Sequence, residues 1–235
     1  MRKLTAVVGI LTALALVVGA AGPAHAWSNG RDGPNSYGTH DWILDKALEA
    51  VGDQASWVRV RVALRATDDP DTIDGIDHAS GTWWHVWDEW GDTWGGAPEA
   101  AEVWFRRAQR RLEAGRERAA SKALGIMSHL LGDVAQPMHT DGRLDAEDDV
   151  HAPYEEAVDS RSEREDDVYG FVDDGPDAAS PEQTTLRVAR HAHRYYARLV
   201  RAYDRHGYNG TVHRITKRQL NRAARALADL IRALA

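Results

Sequence analysis

The sequence predicts an all-α fold, and three observations carry that prediction. Apolar residues recur at helical spacing in each long segment, and no segment sustains the alternation of a half-buried strand. Helix punctuation falls between those segments: Pro98 and Pro181 sit where helices begin, and Pro137 follows where one ends. The chain also shows no internal repeat at any fixed spacing.

The elements follow in order. Arg2 and Lys3 precede an apolar run over 5–21, and Gly22-Pro23-Ala24-His25-Ala26 closes it with small residues at the −3 and −1 positions of a cleavage site. The run approaches membrane-spanning length, but the helix-breaking Gly-Pro and the cleavage pattern favour a signal peptide over 1–26, removed between Ala26 and Trp27 on export. One domain of 209 residues, 27–235, remains. Residues 27–39 are rich in Gly, Asn, Ser and Pro and read as an irregular arm.

The spacing of Trp42, Ile43, Ala47 and Leu48 predicts a helix over 41–51, and 56–65 continues in that style. An acidic, turn-rich stretch over 68–71 leads into a tryptophan-dense loop over 83–94. A helix from Pro98 to about 114 is patterned by Ala101, Val103, Trp104 and Ala108, and another over 121–135 by Leu124, Met127, Leu130, Leu131 and Val134. A short helix is expected over 153–158, then a charged surface excursion over 159–177. Ser180-Pro181-Glu182 opens a helix running through Leu186, Val188, Tyr195 and Leu199 to about 205. The last helix, over 216–235, is amphipathic through Leu220, Ala223, Ala226, Leu227, Leu230 and Ile231.

Composition narrows the partners. Arg2 and Lys3 are the only charged residues before Trp27, so cleavage takes the formal charge from −7 to −9. Such a chain offers no broad positive field to a polyanion, although bound metals can reverse the sign inside a cleft. It has no cysteine, so neither disulfides nor thiolate ligands are available, and the exported domain relies on its core, on metals or on both. Arg106, Arg107, Arg110 and Arg111 are interspersed with Glu102, Glu113 and Glu117, which predicts a solvated, salt-bridged face rather than a nucleic-acid site.

The chemistry concentrates between 125 and 159. His129 and Asp133 lie four apart on a helix face that is otherwise apolar, and a buried polar pair needs partners that a metal can supply. His139 follows just past the Gln136-Pro137 break, and His151 with Glu155 repeats the four-residue spacing. Imidazoles and carboxylates without sulfur suit Zn²⁺ in an open, catalytic site.

This segment, Gly125-Ile-Met-Ser-His129-Leu-Leu-Gly-Asp133-Val-Ala-Gln-Pro-Met-His139 and then His151-Ala-Pro-Tyr-Glu155-Glu-Ala-Val-Asp159, closely resembles the zinc-binding signature of bacterial zinc-dependent phospholipases C. It is more distantly similar to the single-strand-specific nucleases of the same superfamily. The likeness extends to a mature Trp27 followed by Asn-Ser, His40 and Trp42-Ile43, to Asp71 ahead of His85-Val86-Trp87-Asp88, and to the C-terminal amphipathic helix.

The resemblance implies a compact helical bundle around a cleft with three zinc ions. It implies nine ligand residues: Trp27 (through its α-amino group and carbonyl oxygen), His40, Asp71, His85, His129, Asp133, His139, His151 and Glu155. Within that set, His85, His129 and Asp133 would hold one ion with Asp71 beside them. Asp133, His139, His151 and Glu155 divide over further ions in a way the sequence leaves open, and Trp27 with His40 completes the coordination. Asp71 is also the residue expected to orient or deprotonate the nucleophile. Five aspartates crowd 68–77, so Asp69 and Asp74 remain alternatives to Asp71, which its Pro-Asp context favours. Ser28-Asn29-Gly30 stands where family phospholipases often carry an acidic residue linked to choline recognition, so the resemblance does not extend to a choline preference.

The implied activity is zinc-assisted attack of water on a phosphate ester. Phospholipid is the first substrate expected, and nucleic acid or a phosphomonoester the alternative. A metal-binding protein without catalysis is disfavoured because each ligand position is filled. Contact with a membrane surface, if any, is expected from the catalytic domain itself, and the chain is expected to be a monomer. Trp83, Trp84, Trp87, Trp90 and Trp94 divide between core packing and a cleft wall. His78, His191, His193, His206 and His213 are expected at surfaces and caps.

Overall fold

In the computed structural model the described residues are 27, 36–72, 96–140, 150–162, 170–171 and 179–235. The signal-peptide segment, His78, His85, Asp74 and the five tryptophans of 83–94 lie outside them. Nine α-helices are formed by the described residues, with no strand among these residues.

The centre is α5 (Glu117–Ala135), where every residue from Ala120 to Ala135 except Lys122 is buried. A helix that is covered all round must carry small residues where neighbours approach, and Gly125 is such a place. A Cβ there would lie 2.1 Å from the backbone oxygen of Ala63, so α2 (Val60–Thr67) rests directly on the α5 backbone. The backbone N–H of Arg59 donates to Ser121 Oγ (2.8 Å) and fixes the start of α2 against α5.

Around α5 stand four further helices. α4 (Ala97–Glu113), with Pro98 in its first turn, packs antiparallel beside it through a short connection at Ala114–Arg116. α1 (Thr39–Val51) and α9 (Gly210–Arg232) pack on each other and on α5, and α7 (Pro181–His193) rests on α4 and α5. Ile43, Leu44, Leu124, Met127, Leu131 and Leu220 are among the fully buried side chains, each worth about 1.5–3 kcal/mol relative to exposure.

Several boundaries differ from the sequence expectation. α1 ends at Gly52, whose φ of 60° is a conformation other residues avoid; a 3-10 turn, Gly52–Ala55, follows. The helix expected over 56–65 therefore begins at Val60 and reaches Thr67. The acidic stretch contains a short helix, α3 (Asp69–Thr72). α6 (His151–Ser162) extends well past the expected 153–158.

The long helix expected from Ser180 is two helices, α7 and α8 (Tyr196–His206). A tight bond from the Tyr195 N–H to the Ala192 oxygen (2.8 Å) turns the chain between them without any proline or glycine to mark it. α9 begins six residues earlier than expected, because Asn209 caps it by accepting from the N–H groups of Thr211 and Val212.

Candidate metal centre

α5 presents His129 and Asp133 one turn apart, and both are buried. His129 Nε2 lies 3.2 Å from Asp133 Oδ2 and 3.5 Å from Asp71 Oδ1, which α3 brings in. α1 supplies His40, whose Nε2 is 3.4 Å from Asp133 Oδ1 and whose ring stacks on that of His129 at 4.2 Å. The ring fits because position 132 has no side chain: a Cβ on Gly132 would lie 2.6 Å from His40 Nδ1. Burial disfavours a charged His129, but the Asp133 and Asp71 carboxylates outweigh it and hold its pKa up at about 10.

A second group forms where the end of α5 meets α6. His139, on the 3-10 turn Pro137–Thr140, places Nε2 2.9 Å from His151 Nε2. Glu155 Oε1 lies 2.7 Å from the His151 nitrogen and 3.4 Å from that of His139. The backbone nitrogen of the fully buried Trp27 stands 3.2 Å from the same oxygen. Burial alone would favour a neutral Glu155, but His151 and His139 outweigh it and hold its pKa down at about 2.

These spacings fit a metal. Four ligands at about 2.0–2.1 Å on a tetrahedron lie about 3.3 Å from one another. The separations within His40, His129, Asp133 and Asp71 are 3.2, 3.4 and 3.5 Å, and those among His139, His151 and Glu155 are 2.7, 2.9 and 3.4 Å. In each group, three ligand atoms fall within 4.8 Å of one another. Two ring nitrogens aimed at one carboxylate oxygen can share a proton over only one contact at a time, whereas a cation satisfies all three atoms together.

Of the nine residues expected from the sequence, eight are in or against these two groups. His85 lies outside the described residues. His40 joins His129 and Asp133, and the Trp27 nitrogen lies beside Glu155. Among the alternative aspartates, Asp71 faces His129, whereas Asp69 turns to Lys122 Nζ at 2.9 Å.

Three further residues hold the site, and the sequence reading did not single them out. Gln136 donates from Nε2 to Glu155 Oε1 (3.1 Å) and accepts from the Met138 N–H (2.7 Å), locking the turn after α5 to α6. Asp159 accepts from the N–H and hydroxyl of Thr39 at 3.0 and 3.2 Å, capping α1 beside His40. Gly132 is the third. The continuation of the four-residue spacing from His151 and Glu155 to Asp159 was the available signal for one of them.

The remaining histidines divide. His193 Nδ1 lies 3.0 Å from the Thr140 oxygen and steadies the turn that carries His139. His191 is half-buried, and burial with Arg222, Arg194 and Arg218 nearby pushes its pKa down to about 4. His206 is exposed, and His213 Nδ1 is 3.4 Å from the Tyr208 hydroxyl.

Solved structures share this arrangement of helices. The alpha-toxin of Clostridium absonum superposes with a TM-score of 0.63 at 16% identity, over 87% of this chain and 65% of that one. The alpha-toxin of an avian Clostridium perfringens strain gives 0.62 and 16%, over 87% and 64%. The chain has the alpha-toxin fold. It spans just under two thirds of each toxin's length. The all-α architecture expected from the resemblance to zinc-dependent phospholipases C is therefore observed. No protein-family model and no curated protein matches the chain. Among the described residues no helix is long and apolar enough to cross a membrane.

Proposed function

We propose that the chain is a secreted, zinc-dependent phosphoric ester hydrolase of the phospholipase C type, removing phosphorylated head groups from phospholipids. The observation that carries this reading is the pair of buried histidine–carboxylate groups at ligand spacing, joined through the end of α5 by Gln136. Sulfur-free sets of this kind suit catalytic zinc. His40, His129, Asp133 and Asp71 would hold one ion, and His139, His151 and Glu155 with the Trp27 terminus would hold the others of an expected three. Bound there, zinc would polarise a phosphoryl oxygen and acidify water to a pKa near 7.

The chain's own residues have distinct tasks. Asp71 is the proton acceptor in this reading, with one oxygen directed at His129 and the short α3 helix keeping it at the edge of the group. Gln136 fixes the Glu155 carboxylate, and Asp159 fixes the helix end that carries His40. Cleavage between Ala26 and Trp27 would turn the buried Trp27 nitrogen, 3.2 Å from Glu155, into an α-amino group, which is why maturation belongs to the proposal.

The test is hydrolysis by the mature protein of phosphatidylcholine and, in parallel, of single-stranded DNA, with zinc measured on the same sample. Diacylglycerol release that a chelator abolishes and zinc restores is the expected result. DNA cleavage alone would move the substrate to nucleic acid and keep the metal site. Absence of bound zinc would overturn the central claim.

A further inference from the structure

We propose that the turn between α4 and α5 forms a second site, separate from the metal groups, that binds the phosphoryl group of a phosphate ester. A cavity of about 760 Å³ opens there, lined by Arg107, Arg110, Arg111, Arg116 and Lys122, and no carboxylate is among its described lining residues. A second cavity of about 640 Å³ continues around Gly115 and shares Arg116, Ala119 and Lys122 with the first, adding Arg59, Arg118 and one carboxylate, Glu117. The first volume lies in the range of small-ligand pockets, about 300–1,000 Å³.

The neighbouring acids leave Arg107, Arg110, Arg111 and Arg116 of the first cavity without an ion pair among the described residues. Glu102 pairs with Arg106, and Glu117 pairs with Arg59. Asp69 pairs with Lys122, which lines both cavities. Arg110 and Arg111 form no ion pair among the described residues, while Arg106 is salt-bridged to Glu102 on the solvated face expected from the sequence. In a chain of formal charge −7, a concentration of this sign is local rather than general.

The chemistry of the lining selects the ligand. Guanidinium forks match the paired oxygens of a phosphate, and several together favour a phosphoryl group over a single carboxylate. Trp104, with the Arg107 guanidinium 4.2 Å above its ring, and the alanines at 114, 119 and 123 form an apolar wall for the organic part of an ester. Lys122 precedes His129 by seven residues on one helix, so the cleft lies about 10 Å along α5 from the metal group.

Two sources can present this chemistry, a soluble phosphate ester or the head groups of an anionic lipid surface. The experiment measures binding of inorganic phosphate by calorimetry, and of phosphatidylcholine vesicles with and without phosphatidylglycerol by sedimentation. It compares the zinc-loaded protein with R110A/R111A and with R201A/R205A, a charge-matched control on exposed residues of α8. Hydrolysis of a water-soluble phosphodiester and the circular dichroism spectrum report the metal groups and the fold separately, so failure of this site and failure of the proposed hydrolase are distinguishable.

The expected result is that R110A/R111A loses about 30-fold in affinity, from about 1 kcal/mol per arginine, with soluble hydrolysis unchanged and the control unaffected. Loss with anionic vesicles assigns the site to lipid head groups; loss with phosphate and no vesicle binding by the parent protein assigns it to a soluble ester. Equal affinity in R110A/R111A and the parent protein, an equal loss in the control, or binding of a single-stranded oligonucleotide in place of both probes would overturn the proposal.

Discussion

Adding one methyl group at Gly132 should separate the fold from its metal chemistry. The Cβ of Gly132→Ala would meet His40 Nδ1 at 2.6 Å and Cε1 at 3.0 Å, where ordinary contact begins near 3.4 Å. The imidazole would have to retreat by about 0.8 Å, whereas zinc ligands tolerate roughly 0.2 Å. It cannot swing aside freely, because its ring is fully buried and stacked on His129. Overpacking costs about 1–3 kcal/mol, offset by about 1 kcal/mol from replacing a helical glycine. The metal-free variant should therefore remain folded, up to about 2 kcal/mol less stable. Its zinc affinity should fall by at least about 10–100-fold, the range for disturbing a ligand's support.

Gly125→Ala provides the contrast. Its Cβ would lie 2.1 Å from the Ala63 backbone oxygen, so α2 must lift from α5, and stability should fall by about 3 kcal/mol or more while the folded fraction still binds zinc. Competition against a chromophoric chelator gives the affinities, and urea unfolding of metal-free protein gives the stabilities. Unaltered zinc binding by Gly132→Ala would refute the placement of His40 as a ligand.

The other predictions concern the supports and the protons. Gln136→Ala should lower zinc affinity about 10–100-fold with little change in metal-free secondary structure, read by the same competition assay. In metal-free protein the pKa of His129, about 10, leaves it protonated at neutral pH. Zinc affinity should then rise about tenfold per pH unit through neutrality with release of a proton, seen by calorimetry in buffers of different ionisation enthalpy. A pH-independent affinity would count against His129. The same raised pKa means that its pairing with Asp133 and Asp71 stabilises the metal-free fold fully below 6.5 and is lost as pH climbs through about 10. One residue added ahead of a mature Trp27 should remove zinc from the Glu155 group and most of the activity; full activity in that variant would remove Trp27 from the ligand set.

Much of this site was legible because it is written locally. His129 and Asp133, or His151 and Glu155, declare themselves by a four-residue spacing within one helix. Their relation to each other was legible only through the family resemblance, since nothing in helical periodicity sets His40 on His129. The missing features are of three kinds. Gly132 and Gly125 look like weak helix residues until the neighbouring helix is known to press on them. The break at Arg194–Tyr195 has no proline or glycine to announce it. The arginines of α4 read as salt-bridged because glutamates are interspersed in sequence, but Glu102 and Glu117 pair with Arg106 and Arg59, leaving Arg110 and Arg111 facing a cavity.

The contacts of Trp27 with Glu155 and of Thr39 with Asp159 span 128 and 120 residues. In a chain without cysteine, a metal gripping Glu155 and the Trp27 terminus would act as a reversible cross-link over that distance. Closing a loop of this length removes unfolded-state entropy worth about 4–5 kcal/mol in the chain-entropy treatment. Metal supply would then set the lifetime of the folded protein, and a chelator would do to it what a reductant does to a disulfide-stapled one.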